Sequence, residues 1–130
     1  MRLIALLTAL SVSLLAELDW ATDYAEAAEQ AKKEQKMVMV MLSQENCDTC
    51  WYMENVVFDN DDLVYELQSS FVPVKIDIHE EIVPQGLSYI GTPTFHFLSG
   101  SGEKIDRLVG GANVKDFTEA LREIKQAAKK

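Results

Sequence analysis

Met37-Val-Met-Val-Met-Leu42, then Ser43-Gln-Glu-Asn46, then Cys47-Asp-Thr-Cys50 is the stretch whose reading decides the fold. The apolar run has no polar alternation, as expected of a strand buried on both faces of a parallel or mixed sheet. A short polar turn follows, and Asn46 is expected to N-cap the next helix. Met53, Val56 and Val57 give that helix an apolar side. The chain's only two cysteines therefore open a helix, with two residues between them. A pair so placed can cycle between dithiol and disulfide.

Outward from this stretch the elements alternate. Trp20, Tyr24, Ala27, Ala28 and Ala31 recur at helical spacing and predict an amphipathic first helix ending near Gln35. After the break at Phe58-Asp-Asn-Asp-Asp62, Leu63, Val64 and Leu67 describe a second short helix. Phe71 to Ile78 reads as a strand, and Pro73, lacking an N–H, belongs at its start or on the sheet edge. Residues 79–91 carry no clear period, although Leu87, Tyr89 and Ile90 fit either a short helix or a loop. Thr94 to Leu98 and Lys104 to Val109 form a hairpin around Ser99-Gly-Ser-Gly102, and Gly110-Gly111 ends it. Val114, Phe117, Leu121, Ile124 and Ala128 make the stripe of a last helix capped by Asn113, whose closing lysines complement its dipole. This order predicts an α/β fold, a central mixed β-sheet flanked by helices on both faces.

Only a thiolate attacks a disulfide, and an ordinary cysteine, with a pKa of about 8.5, is mostly protonated at neutral pH. Unpaired N–H groups of the first helical turn favour the ionised sulfur, so Cys47 is expected to be the nucleophile and Cys50 the resolving thiol. Asp48 opposes this, because a neighbouring anion disfavours a second negative charge. A more reducing couple is expected. Other readings of the pair stay open. A structural bridge closing so small a loop removes little chain entropy. A zinc site would need His79 and His96 to converge on the motif. Covalent haem attachment is excluded, since Trp51 stands where histidine is required. His96 alternates with Phe95 and Phe97 and is expected to face solvent or a helix, while His79 reads as a loop residue. Met37, Met39 and Met41 share one strand face, which fits core packing better than copper binding. The acidic break at residues 59–62 lacks the glycine and glutamate of a calcium loop and fits helix capping.

With 130 residues, 48% of them hydrophobic, the chain suits one globular domain. Arg2, the apolar run from Leu3 to Leu15 and small Ala16 predict a signal peptide over residues 1–16, leaving a mature domain over 17–130. The run is shorter than the ~20 residues a spanning helix needs, with an uncleaved anchor as the rival reading. Glu17 stands where a lipoprotein would need cysteine. Arg2 is the only charge removed, so cleavage takes the formal net charge from −9 to −10. Such acidity argues against nucleic acid or anionic membrane as a partner.

Cys47 to Cys50, Gly91-Thr92-Pro93 and the glycines before the last helix together resemble the thioredoxin superfamily. The likeness is closest to exported bacterial thioredoxin-like proteins that begin with a Trp-containing helix, and it spans residues 19–128. The resemblance implies a thioredoxin-like fold in which Pro93 is cis against the redox pair and the Thr92 backbone docks substrate polypeptide. It also implies a periplasmic or secreted thiol–disulfide oxidoreductase that reduces or isomerises disulfides of exported proteins. Such a protein needs no cofactor and draws electrons from an upstream thiol protein. The small domain shows no dimerisation module, so a monomer is expected, and the short apolar run predicts no stable membrane insertion. This sequence departs from the family in several places. Asn46 replaces the tryptophan before the first cysteine, while Trp51, after the second, either shields the pair or packs in the core. Met41 stands where a buried aspartate accepts the resolving cysteine's proton, leaving water, Glu45 or another group for that task. Asp48-Thr49 is neither the Gly-Pro of thioredoxin nor the Pro-His of strong oxidants. A redox-inactive polypeptide-binding module and a thiolate metal carrier are the alternatives.

Overall fold

The structure is a computed structural model that describes residues 17–129; the expected signal peptide at residues 1–16 lies outside the described residues. Helix α1 (Tyr24–Glu34) begins where the Asp23 side chain accepts the Glu26 amide at 2.8 Å, and closes at Gln35 in a left-handed conformation. Strand β1 (Met37–Ser43) leads to helix α2 (Asp48–Asn55), a 3₁₀ turn (Val57–Asp59) and helix α3 (Asp61–Ser70). Strands β2 (Phe71–Asp77), β3 (Thr94–Leu98) and β4 (Lys104–Val109) precede helix α4 (Val114–Ala128). Val56 does not join the apolar side of α2: the helix stops at Asn55 and Val56 is exposed. The tighter 3₁₀ winding then turns Val57 and Phe58 into the core. Residues 79–91 carry no helix or strand, and of their apolar side chains Leu87 is buried while Ile82 and Ile90 are exposed.

The sheet runs in the order β2-β1-β3-β4. β1 pairs parallel with β2 and antiparallel with β3, and β3 pairs antiparallel with β4. A mixed sheet with β1 at its centre explains why β1 is apolar on both faces. On one face Met39, Met41, Phe95 and Phe97 pack under Met53, Leu63, Leu67, Phe117 and Leu121 of α2, α3 and α4. Edge-to-face aromatic contacts knit this side, Phe95 lying 5.1 Å and Phe58 5.5 Å from Phe117. The opposite face, Val38, Val40, Leu42, Val72 and Val74, packs against Ala27 and Ala31 of α1. Pro73 sits on edge strand β2. Its carbonyl accepts the Ala21 amide at 2.8 Å on the outer side, the side to which a strand residue's own missing N–H would also point. The C-terminal end of β1 thus delivers the motif to one end of the sheet, between α2 and the turn before β3.

Candidate active site

Cys47 and Cys50 are joined by a disulfide, their Cα atoms 5.2 Å apart. Cys47 itself, rather than Asn46, is the N-cap of α2, and its sulfur accepts the Cys50 amide at 3.1 Å. Asn46 instead takes a positive φ of 57°, a conformation asparagine tolerates better than most residues. The helix therefore starts one residue later than the capping pattern predicted. That shift places sulfur where a capping oxygen normally sits, at the positive end of the helix dipole. Cys47 is half-buried and Cys50 only 2% exposed, so one sulfur faces solvent and the other is sealed beneath it.

Thr92 and Pro93 close the site from the other side. Their peptide bond is cis, and Thr92 Oγ1 lies 3.4 Å and its carbonyl oxygen 3.5 Å from Cys47 Sγ. Two contacts fix this turn to the sheet: Thr94 Oγ1 donates to the Gly91 carbonyl at 2.7 Å, and the Gly110 amide to the Pro93 carbonyl at 2.8 Å. The β4–α4 loop forms a third wall. A Cβ at Gly111 would stand 2.6 Å from Thr49 Cγ2, so only glycine lets the loop approach the first turn of α2. The neighbouring Ala112 amide donates to Met53 Sδ at 3.4 Å.

Trp51 neither packs in the core nor lies sealed over the disulfide; it is 63% exposed on the first turn of α2. The tryptophan that does pack is Trp20, edge-on to Phe58 at 5.9 Å and beneath the Lys75 ammonium. Met41 is fully buried opposite Phe95, in the same apolar cluster as Cys50, so a thioether and not a carboxylate occupies this strand position. Glu45 is exposed on the rim of a cleft of about 310 Å³ beside the motif, shared with Gln44, Asn46, Asp77, His79 and Glu80.

The histidines part company. His96 does not face solvent: it is buried on the α1 side of the sheet, and its Nε2 donates to the Ser88 carbonyl at 2.7 Å. The segment before β3 folds over it, and Arg107 holds Ser88 Oγ at 2.7 Å. Burial pushes its pKa down, with Arg107 and Lys104 adding to the effect against the opposing hydrogen bond to Ser88. His79 lies on the cleft instead, its Nε2 2.9 Å from Gln44 Oε1. Gln44 in turn donates through Nε2 to Thr92 Oγ1 at 2.7 Å. Gln44 carried no signal in the sequence, because a polar residue between a strand and a motif reads as ordinary turn. Its partners, 35 and 48 residues downstream, meet it only in the fold.

A family described as a thioredoxin-like domain matches residues 24–125. No curated protein matches the chain. Among solved structures, a thioredoxin from Thermus thermophilus is 28% identical with a TM-score of 0.68, covering 84% of this chain and 88% of its own. A structure described as DsbH oxidoreductase is 20% identical with a TM-score of 0.65, covering 88% of this chain and 86% of its own. The periplasmic thioredoxin SoxS of Paracoccus pantotrophus, in its reduced form, is 19% identical with a TM-score of 0.60, covering 72% of this chain and 99% of its own.

Proposed function

The chain belongs to the thioredoxin-like domain family, and from that premise we propose that it is a thiol–disulfide oxidoreductase that reduces disulfides of exported polypeptides. The observation that carries this reading is the asymmetry of the pair: Cys47 accessible at a helix N-cap, Cys50 buried one turn along, and Thr92 against the outer sulfur. In the reduced protein the Cys47 thiolate attacks one sulfur of a substrate disulfide. The new Cys47–substrate bond forms as the substrate S–S bond breaks, and the departing sulfur takes a proton from water. Cys50, losing its proton, attacks Cys47 and releases the second substrate thiol. Two electrons have passed to the substrate, and the Cys47–Cys50 disulfide remains for an upstream dithiol protein to reduce. Thr92 and Pro93 form the edge against which an extended substrate segment docks. Residues 1–16 act as a signal peptide that sends residues 17–130 to the periplasm or outside the cell, where the domain works as a monomer without a cofactor.

Reduction of insulin with a thiol donor tests the reading. The intact domain accelerates it, and Cys47→Ser abolishes the acceleration. Cys50→Ser accumulates a mixed disulfide on Cys47, visible by mass spectrometry. No acceleration by the intact domain, with peptide binding preserved in Cys47→Ser, would instead assign a polypeptide-binding module.

A further inference from the structure

Three side chains outside the cysteine motif form an unbroken chain of hydrogen bonds that ends on Cys47. His79 Nε2 lies 2.9 Å from Gln44 Oε1, Gln44 Nε2 lies 2.7 Å from Thr92 Oγ1, and Thr92 Oγ1 lies 3.4 Å from Cys47 Sγ. Each link has a direction. An amide oxygen only accepts, so His79 Nε2 is the donor of the first bond. The amide nitrogen of Gln44 only donates, so Thr92 Oγ1 is the acceptor of the second. With that lone pair engaged, the hydroxyl proton is left for the sulfur. A protonated His79, which has no acceptor, permits only this direction. The opposite one, with the Thr92 proton turned to the amide oxygen, needs a neutral imidazole whose Nε2 accepts.

We propose that Gln44 and His79 are positioning residues for Cys47: they hold the Thr92 hydroxyl with its proton aimed at the sulfur, where the thiolate of the reduced pair accepts it. The disulfide is a poor acceptor, so the bond strengthens on reduction and favours the ionised, attacking form. This supplies a second donor besides the Cys50 amide, in a helix whose first turn carries acidic Asp48 next to Cys47 in the chain. The turn that carries His79 is built for the task. Asp77 Oδ1 accepts the amides of His79 and Glu80 at 2.8 and 3.1 Å, which fixes the imidazole over the cleft. Carboxylates of Glu45, Asp77 and Glu80 line that cleft with it, and Glu81 reaches the Asp77 amide.

The inference rests on Cys47 being the attacking sulfur, and its test is independent of turnover. The thiolate of the reduced full-length mature domain is titrated by ultraviolet absorbance and by the pH dependence of alkylation, in a double-mutant cycle of Gln44→Leu and Thr92→Val. In the wild-type background Gln44→Leu lowers the Cys47 thiolate-to-thiol ratio by about three- to tenfold, the scale of one hydrogen bond to a charged acceptor. In the Thr92→Val background the same change moves the ratio less than about twofold, because Gln44 acts only through that hydroxyl. His79→Ala gives a smaller loss of the same sign, and His79→Gln, which keeps a donor, restores it. The glutathione equilibrium moves in step, the disulfide of Gln44→Leu becoming harder to reduce. Equal effects of Gln44→Leu in both backgrounds, or none in either, would overturn the proposal. Should Thr92→Val not fold, as judged by circular dichroism, the cycle of Gln44→Leu with His79→Ala carries the same test: the double variant then matches Gln44→Leu alone, and additivity overturns it. A wild-type domain inert toward insulin but showing the coupling would sink the catalytic reading and support the positioning role.

Discussion

An imidazole sealed beneath a backbone carbonyl loses hydration when it takes up a proton, and His96 is in that position, 4% exposed with Nε2 on the Ser88 oxygen. Its pKa is pushed down, first by burial and then by Arg107 and Lys104. The sign follows from linkage. A group whose folded value lies below its unfolded value of about 6.5 stabilises the fold fully above that value, and the contribution is lost as pH falls through the lowered folded value. Wild-type stability in urea therefore drops between neutral pH and about pH 5 by more than that of His96→Gln, which can still donate to Ser88. The two curves run parallel above about pH 7. Parallel curves throughout would mean that the histidine takes up its proton as readily folded as unfolded, by opening to solvent. Alternation along β3 placed His96 on the face opposite Phe95 and Phe97, but the residues that would cover that face could not be read. Cover comes from Ser88, eight residues earlier in a segment with no periodicity.

At the scale of elements, two glycines hold loops against helices, with different consequences. A Cβ at Gly111 would press on Thr49 Cγ2 at 2.6 Å and Met53 Sδ at 3.3 Å, in the helix that carries both cysteines. Gly111→Ala is expected to lower stability by about 1–3 kcal/mol, as overpacking does, and to slow alkylation of reduced Cys47 by displacing the first turn of α2. Thr49→Ser removes the methyl that clashes and restores most of both. Gly100 meets the backbone of Lys32 in α1, its Cβ position 3.0 Å from the Lys32 nitrogen. Gly100→Ala is therefore expected to destabilise the fold by a similar amount while leaving the Cys47 alkylation rate unchanged, since α1 covers the other face of the sheet. Thermal melts with alkylation kinetics on the two variants separate these effects. The elements themselves were legible because each has a local cause: the unbroken apolar run of β1, the Asn60 and Asn113 caps, the stripe of α4. The Cys47 cap was misplaced by one residue, because asparagine and cysteine compete for the same position and only the left-handed turn at Asn46 decides between them. Contacts between Gln44, Thr92 and His79 leave no local trace, being made by the crossing of β1, β2 and the turn before β3.

At the scale of the whole molecule, the position of the redox couple is a balance between local donors and surrounding charge. The Cys50 amide at 3.1 Å and the Thr92 hydroxyl at 3.4 Å stabilise a Cys47 thiolate. Asp48 in the first turn of α2, Glu45 on the adjoining turn and a formal net charge of −9 act against it. Strong oxidants of this chemistry owe their potential to a heavily stabilised reduced form. The acidic surroundings here work in the other direction, so equilibration in dithiothreitol or glutathione buffers is expected to place the couple near about −270 mV, with the thioredoxin-type reductants. Asp48→Asn removes the negative charge that follows Cys47 in the chain and is expected to raise the potential, each tenfold gain in the equilibrium constant counting about 30 mV. Salt screens an exposed carboxylate, so raising ionic strength reproduces part of that shift in the wild type and little of it in Asp48→Asn. A wild-type value near about −120 mV would mean that the helix cap and Thr92 outweigh the acidic surroundings. The Cys47–Cys50 disulfide would then be the reactive form toward clients, and electrons would flow from client thiols into this domain.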